Sequence, residues 1–130
     1  MEIKQVWAVY WSATGNTRKV VEETAKALAD KLSCPMNTAD FTPLKARETG
    51  LSFGAGDLAV IGTPTYAGKL PNKMLPYIQE QIRGNGALAV PVVTFGNRSF
   101  DNSLAELCAT LEQNGFHTMA AGAFACRHAF

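Results

Sequence analysis

Short apolar runs alternate with segments of helical periodicity from one end of the sequence to the other, and this alternation leaves few folds open. The runs Ile3–Tyr10, Asp57–Thr63, Ala87–Phe95 and His117–Ala125 read as strands, with Pro35–Phe41 as a shorter, weaker one. Asp57–Thr63 is apolar almost throughout rather than at every second residue, which is the pattern of a short buried strand. Between the strands lie three helix patterns. Thr17–Leu32 places Val21, Ala25, Leu28 and Leu32 on one face, with Arg18/Glu22, Lys19/Glu23 and Glu22/Lys26 spaced as i,i+4 pairs on the other. A second helix is expected from about Asn72, with Met74, Leu75, Ile78 and Ile82 inward, Pro71 and Pro76 in or near its first turn, and Gly84 and Gly86 ending it. A third runs from Asp101 to Asn114, with Leu104, Leu107, Cys108 and Leu111 inward, Ser103/Glu106 as a capping box and Gly115 as the stop.

Strands alternating with helices of this length imply βαβ units, hence a doubly wound parallel sheet in a three-layer α/β/α sandwich. Thr42–Gly56 fits neither pattern and reads as a loop with one or two helical turns. Pro91 sits in the middle of the fourth strand pattern, where a missing N–H argues against a central position. The chain has 130 residues, 47% of them hydrophobic and 18% charged, which suits a single domain with one well-filled fold.

Composition also excludes functions. The net charge is +1 and the basic residues are scattered, so neither nucleic acid nor an anionic membrane has an electrostatic footprint to bind. No apolar run reaches the length of a membrane span, and the N-terminus M-E-I-K-Q carries no secretory pattern; a cytoplasmic protein is expected. The three cysteines, Cys34, Cys108 and Cys126, lack C-x-x-C spacing, so neither a metal site nor a disulfide framework is expected.

In doubly wound sheets, ligands sit beyond the carboxyl ends of the strands, at the point where the strand order reverses. That rule singles out loops 11–17, 63–70 and 95–102. The first contains S-A-T-G-N-T: Ser12, Ala13, Thr14, Gly15, Asn16 and Thr17. It stands where a strand pattern passes into a helix, so unpaired amides and the positive end of the helix dipole lie beside a cluster of hydroxyls around one glycine. A terminal phosphate suits this arrangement; an ordinary N-cap would need one hydroxyl only. Arg18 and Lys19 in the first turn favour an anion too, although pairing with Glu22 and Glu23 explains them equally. No G-x-x-x-x-G-K-S/T and no G-x-G-x-x-G follows the first strand, and no acidic cluster marks a phosphoryl-accepting receiver. The second loop, T-P-T-Y-A-G-K-L-P, offers Tyr66 and a glycine beside a proline-stiffened turn; the third, F-G-N-R-S-F-D-N, offers Phe100 as a second aromatic. A phosphate cradle flanked by two aromatic loops suits a flat, phosphorylated cofactor.

These stretches resemble the flavodoxin family. S-A-T-G-N-T is similar to that family's phosphate loop, Ser/Thr-x-Thr-Gly-x-Thr, which binds flavin mononucleotide (FMN). Together with Y-W-S, G-T-P-T-Y-A-G-K-L-P and F-G-N-R-S-F-D-N it is most similar to the flavodoxin domain that precedes a two-cluster ferredoxin domain in many anaerobes. The resemblance covers nearly the whole chain and implies five parallel strands in the order 2-1-3-4-5. It further implies that Ser12 through Thr17 hold the phosphate and that Thr63, Pro64, Thr65, Tyr66, Ala67 and Gly68 border the isoalloxazine. Gly96, Asn97, Arg98 and Phe100 would form the other wall.

Two departures from that family stand out. Lys69 and Arg98 lie in the ring loops of a chain that is +1 overall, whereas flavin-carrying relatives are acidic there; cations near the ring would raise its potential. The sequence also reaches Phe130 directly after the fifth strand, without the helix that would cover the sheet, so an apolar patch near the last strand is expected. The resulting expectation is an FMN-binding electron-transfer domain, the flavin supplying the chemistry and the protein no acid–base catalyst. Its partner would be a redox protein or a fused iron–sulfur (ferredoxin) domain, and a homo-oligomer is compatible with it. Two alternatives stand beside it: an FMN-dependent reductase of a small molecule such as a quinone, and a flavin-free interaction module on the same scaffold.

Overall fold

A computed structural model describes residues 2–12, 15–43, 45–46, 49–65, 70, 74–95 and 102–125. The main elements are β1 (Gln5–Tyr10), α1 (Asn16–Leu32), β2 (Met36–Asp40), β3 (Leu51–Ser52), β4 (Asp57–Pro64), α2 (Met74–Gln81), β5 (Ile82–Arg83), β6 (Leu88–Phe95), α3 (Ser103–Gln113), β7 (His117–Thr118) and β8 (Gly122–Ala125). The large sheet runs β2-β1-β4-β6, with β7 and β8 sharing the far edge of β6, and every pairing is parallel. This is the doubly wound order that the resemblance to the flavodoxin family implies.

The continuous apolar runs arise because both faces of the strands are covered, and successive side chains point to opposite faces. Val9, Ala59, Ile61, Ala89 and Val93 face α2 and α3, packing with Met74, Tyr77, Ile78, Leu107 and Leu111. Val6, Ala8, Tyr10, Leu58, Val60, Val90 and Val92 turn the other way, onto Val21, Ala25 and Ala29 of α1. Leu32, assigned inward by periodicity, is 44% exposed at the end of α1, and Ala29 takes the buried place one turn earlier. Cys108 is half-buried on α3, and burial pushes its thiol up from the ordinary value. Among the described residues no group of three or more His, Cys, Asp or Glu could hold a metal, and no helix is long and apolar enough to cross a membrane.

Pro91 lies inside a central strand after all, and the pairing explains how. Ala89 pairs with Thr118 and Val92 with Gly122, so three steps along β6 face four along its neighbour. The edge strand therefore bulges by one residue and splits into β7 and β8 opposite Val90 and Pro91. The amides of His117 and Met119 donate to the carbonyls of Ala87 and Ala89, so odd-numbered residues of β6 turn their peptides to this edge. The N–H that Pro91 lacks would point at the bulge, where the ladder is already broken.

Other boundaries differ from expectation. Loop 42–56 holds a short helical turn at 45–46 and then β3, which pairs in parallel with β5 as a separate two-stranded sheet. Ile82 is buried in β5 rather than in α2, and Tyr77 fills the helix face beneath Phe41, their rings stacked at 5.2 Å. The expected start of the second helix at Asn72, with Pro71, lies outside the described residues. On α3 the capping box does not form: Asn102 is the N-cap without a side-chain bond, and Ser103 is engaged elsewhere.

Candidate functional site

β1, β4 and β6 are adjacent and parallel, so the three loops singled out in the sequence leave the sheet side by side at its carboxyl edge. The order reverses between β1 and β4, because the chain goes from β1 outward to β2 and then returns to β4 on the other side. The crevice expected at such a switch point therefore lies over the ends of β1 and β4.

The first loop is built around Ser12. Its Oγ accepts the amides of Gly15 at 3.1 Å and Arg18 at 3.0 Å, so it caps α1 from three residues before the N-cap. A hydroxyl oxygen has two lone pairs, and both are now used; what remains to Ser12 is its O–H, a donor. Gly15 itself is the N-cap, with φ of 92° in the left-handed region, and a Cβ there would meet nothing within 4 Å among the described residues. The amides of Asn16 and Thr17 belong to the first turn and have no intrahelical acceptor; among the described residues nothing else takes them. No acidic side chain sits in that turn. Donors gather at the positive end of a helix, which is chemistry for an anion.

Hydroxyls tie this helix start to its neighbours. Thr17 Oγ1 and Thr94 Oγ1 lie 2.8 Å apart, joining α1 to the end of β6. The Ser12 amide donates to Thr42 Oγ1 at 2.7 Å, and the Thr42 amide to Asp40 Oδ1 at 2.9 Å, which brings the loop after β2 into the site. Beneath the second loop the Thr65 amide donates to the Thr94 carbonyl at 2.8 Å, and Thr65 Oγ1 meets Ser103 Oγ at 3.0 Å. Ser103 is thus spent on joining α3 to the second loop. Thr63 is fully buried, its hydroxyl closing on the Pro64 carbonyl at 3.1 Å, so it shapes that loop from below. Trp11, one residue before Ser12, lies edge-on to Phe41 with centroids 6.1 Å apart.

Arg18 resolves the two readings of its charge. Its Nε pairs with Glu22 Oε1 at 3.2 Å and its guanidinium lies 6.0 Å from the Tyr10 ring centroid. Among the described residues this is the i,i+4 ion pair that forms. Tyr10 Oη reaches the same Glu22 at 3.4 Å; burial first, then the charges of Glu22 and Asp40, push its phenol above the ordinary value.

The structure thus brings together Ser12, Gly15, Asn16, Thr17, Thr63, Pro64 and Thr65 along one edge. Ala13, Thr14, Tyr66, Ala67, Gly68, Gly96, Asn97, Arg98 and Phe100, with Lys69, lie outside the described residues. Thr42, Asp40 and Thr94 were not singled out by the sequence, and Ser103 only as half of a capping box. Each is an isolated polar residue in ordinary surroundings, and only its position at a strand end or helix start marks it.

No protein-family model matches the chain, and no curated protein does. Its fold is shared with solved structures. A metal-soaked flavodiiron core from Synechocystis sp. PCC6803 superimposes with a TM-score of 0.55 at 17% identity over 95% of this chain. The chain spans 31% of that protein's length. A protein from Bacteroides uniformis described as a flavoprotein superimposes with a TM-score of 0.57, also at 17% identity, over 100% of this chain and 94% of its own. At this identity the likeness establishes the architecture: a flavodoxin-like three-layer α/β/α fold, of a kind found in flavoproteins.

Proposed function

We propose that this chain is an FMN-binding, flavodoxin-like electron-transfer domain. The observation that carries the reading is the helix start at 12–17. There Ser12 has only a proton left to offer, Gly15 is left-handed, and two first-turn amides have no acceptor among the described residues. A terminal phosphate matches that donor set, which is why FMN is preferred to a flavin whose phosphates are internal. Ser12 through Thr17 would hold the phosphate. Thr63 through Gly68 would border the flavin ring on one side, and Gly96, Asn97, Arg98 and Phe100 on the other. The flavin would supply the electron chemistry, while the chain binds it, orients it and sets the charge around it. Electrons would pass to a redox partner protein or a fused iron–sulfur domain. That the fold occurs in flavoproteins supports the reading.

The test is the visible spectrum of the purified chain before and after addition of FMN. Flavin absorption bands are expected, with FMN rather than FAD released on denaturation. Anaerobic reductive titration then distinguishes a one-electron carrier from a two-electron reductase of a small molecule. A colourless chain that does not respond to added FMN would overturn the proposal.

A further inference from the structure

Thr17 and Thr94 form a buried pair with an imbalance in its protons. Their hydroxyl oxygens lie 2.8 Å apart, and the residues are 2% and 4% exposed. Two hydroxyls bring two protons, and the bond between them uses one. Among the described residues neither hydroxyl makes another hydrogen bond, so one of the two protons has no described acceptor, in a place where an unmade hydrogen bond is costly. The direction of the bond decides which residue carries it. When Thr17 donates, the spare proton belongs to Thr94 at the end of a strand. When Thr94 donates, it belongs to Thr17, on the second residue of α1, beside the Asn16 and Thr17 amides and the Ser12 O–H.

We infer that Thr94 is a positioning residue for the anion end of the site: it donates to Thr17 Oγ1 and so turns the Thr17 proton outward to a phosphate oxygen. An anion at the helix start selects this direction, and each O–H in such a chain strengthens the next. The Thr94 carbonyl meanwhile holds the Thr65 amide at 2.8 Å, so the residue that orients the phosphate donor also anchors the second loop. The identity of the ligand rests on the flavin reading; the proton arrangement requires only an anion.

The experiment compares FMN, riboflavin and inorganic phosphate binding by calorimetry for the unaltered chain, Thr94→Val and Thr94→Ser, with thermal unfolding in parallel. Riboflavin lacks the phosphate, so misorientation of a phosphate-directed donor must weaken FMN and leave riboflavin in place. Thr94→Val leaves the Thr17 O–H in place but removes the donor that orients it, so FMN is expected to weaken by about two- to fourfold, the share of a charge-assisted hydrogen bond that a cooperative partner supplies, with riboflavin affinity held. Thr94→Ser keeps the hydroxyl, tolerates the fold more readily, and is expected to preserve the ratio of the two affinities. Equal weakening of both ligands, no weakening, or a serine variant that shifts the ratio would overturn the assignment while leaving flavin binding intact. If the unaltered chain binds no flavin, the flavin reading fails separately, and the assignment stands or falls on whether Thr94→Val weakens inorganic phosphate.

Discussion

A Cβ placed on Gly62 would lie 2.2 Å from Val21 Cγ2 and 3.2 Å from Thr17 Cγ2. Helix α1 therefore rests directly on the backbone of β4, at the position that pairs with Tyr10 of β1 and Val92 of β6. That contact sets how far the helix start stands above the switch point. Gly62→Ala is expected to cost about 1–3 kcal/mol by overpacking, read as a lower denaturant midpoint with unchanged slope. Val21→Ala in the same background makes room for the added methyl and is expected to cost less than the two single changes combined. Full additivity of the two substitutions would show that the close approach does not fix the helix.

That contact also illustrates what could be read from the sequence. The alternation of strand and helix patterns gave the layers and the edge on which the loops gather, because burial on both faces writes itself into continuous apolar runs, while the strand order came from the resemblance to the flavodoxin family. Gly62, inside D-L-A-V-I-G-T, looked like one more residue of a buried strand; only the packed helix reveals why no side chain fits. Pro91 produced a conflict that a single strand cannot resolve, since its answer lies in a bulge on the neighbouring strand. β3 and β5 are two residues each, too short to show a period. The Ser103/Glu106 spacing was a valid cap signature, but the hydroxyl went to Thr65, a tertiary partner that no local pattern contains.

Asn114 closes the end of α2 from another element. Its Nδ2 lies 2.5 Å from the Ile78 carbonyl and 2.9 Å from that of Ile82, supplying donors that the last turn of a helix lacks. Asn114→Ala is expected to destabilise the fold by about 1–2 kcal/mol. Asn114→Asp should be worse at neutral pH, where a carboxylate can only accept and faces carbonyl oxygens, and should recover toward the alanine value as acid protonates it. Chemical denaturation at two pH values checks both, and an aspartate variant as stable as the parent at neutral pH would contradict the cap.

Tyr10 makes alkaline stability measurable at one residue. Burial, then Glu22 and Asp40, hold its phenol above the unfolded value of 10.0, with Arg18 opposing. A folded-state value above the unfolded one contributes stability that is complete below 10.0 and is lost as pH rises through the folded value. Tyr10→Phe removes the titrating group, so the variant's stability should fall less steeply than the parent's across that alkaline window. Parallel curves for the two proteins would mean that the phenol titrates as it does in the unfolded chain.

Among the described residues nothing covers the sheet face shared with α1 to its edge. Between Thr24, Ala27 and Leu28 of the helix and Val90, Met119 and Ala120 of the sheet runs an apolar groove of about 510 Å³, with Glu23 at its rim. Met119 in this groove is 55% exposed, and Phe124 on β8 is 40% exposed, in keeping with the apolar patch expected near the last strand. A neutral hydrophobic dye should bind the unaltered chain and brighten there. Met119→Gln should reduce that signal while changing stability by no more than about 0.5 kcal/mol, because the side chain lies at the surface. Sedimentation of the same samples separates an open groove from one that a second copy hides, since self-association would mask the dye and Met119→Gln would then release monomer. A monomer that leaves the dye dark would show that the groove is not accessible apolar surface.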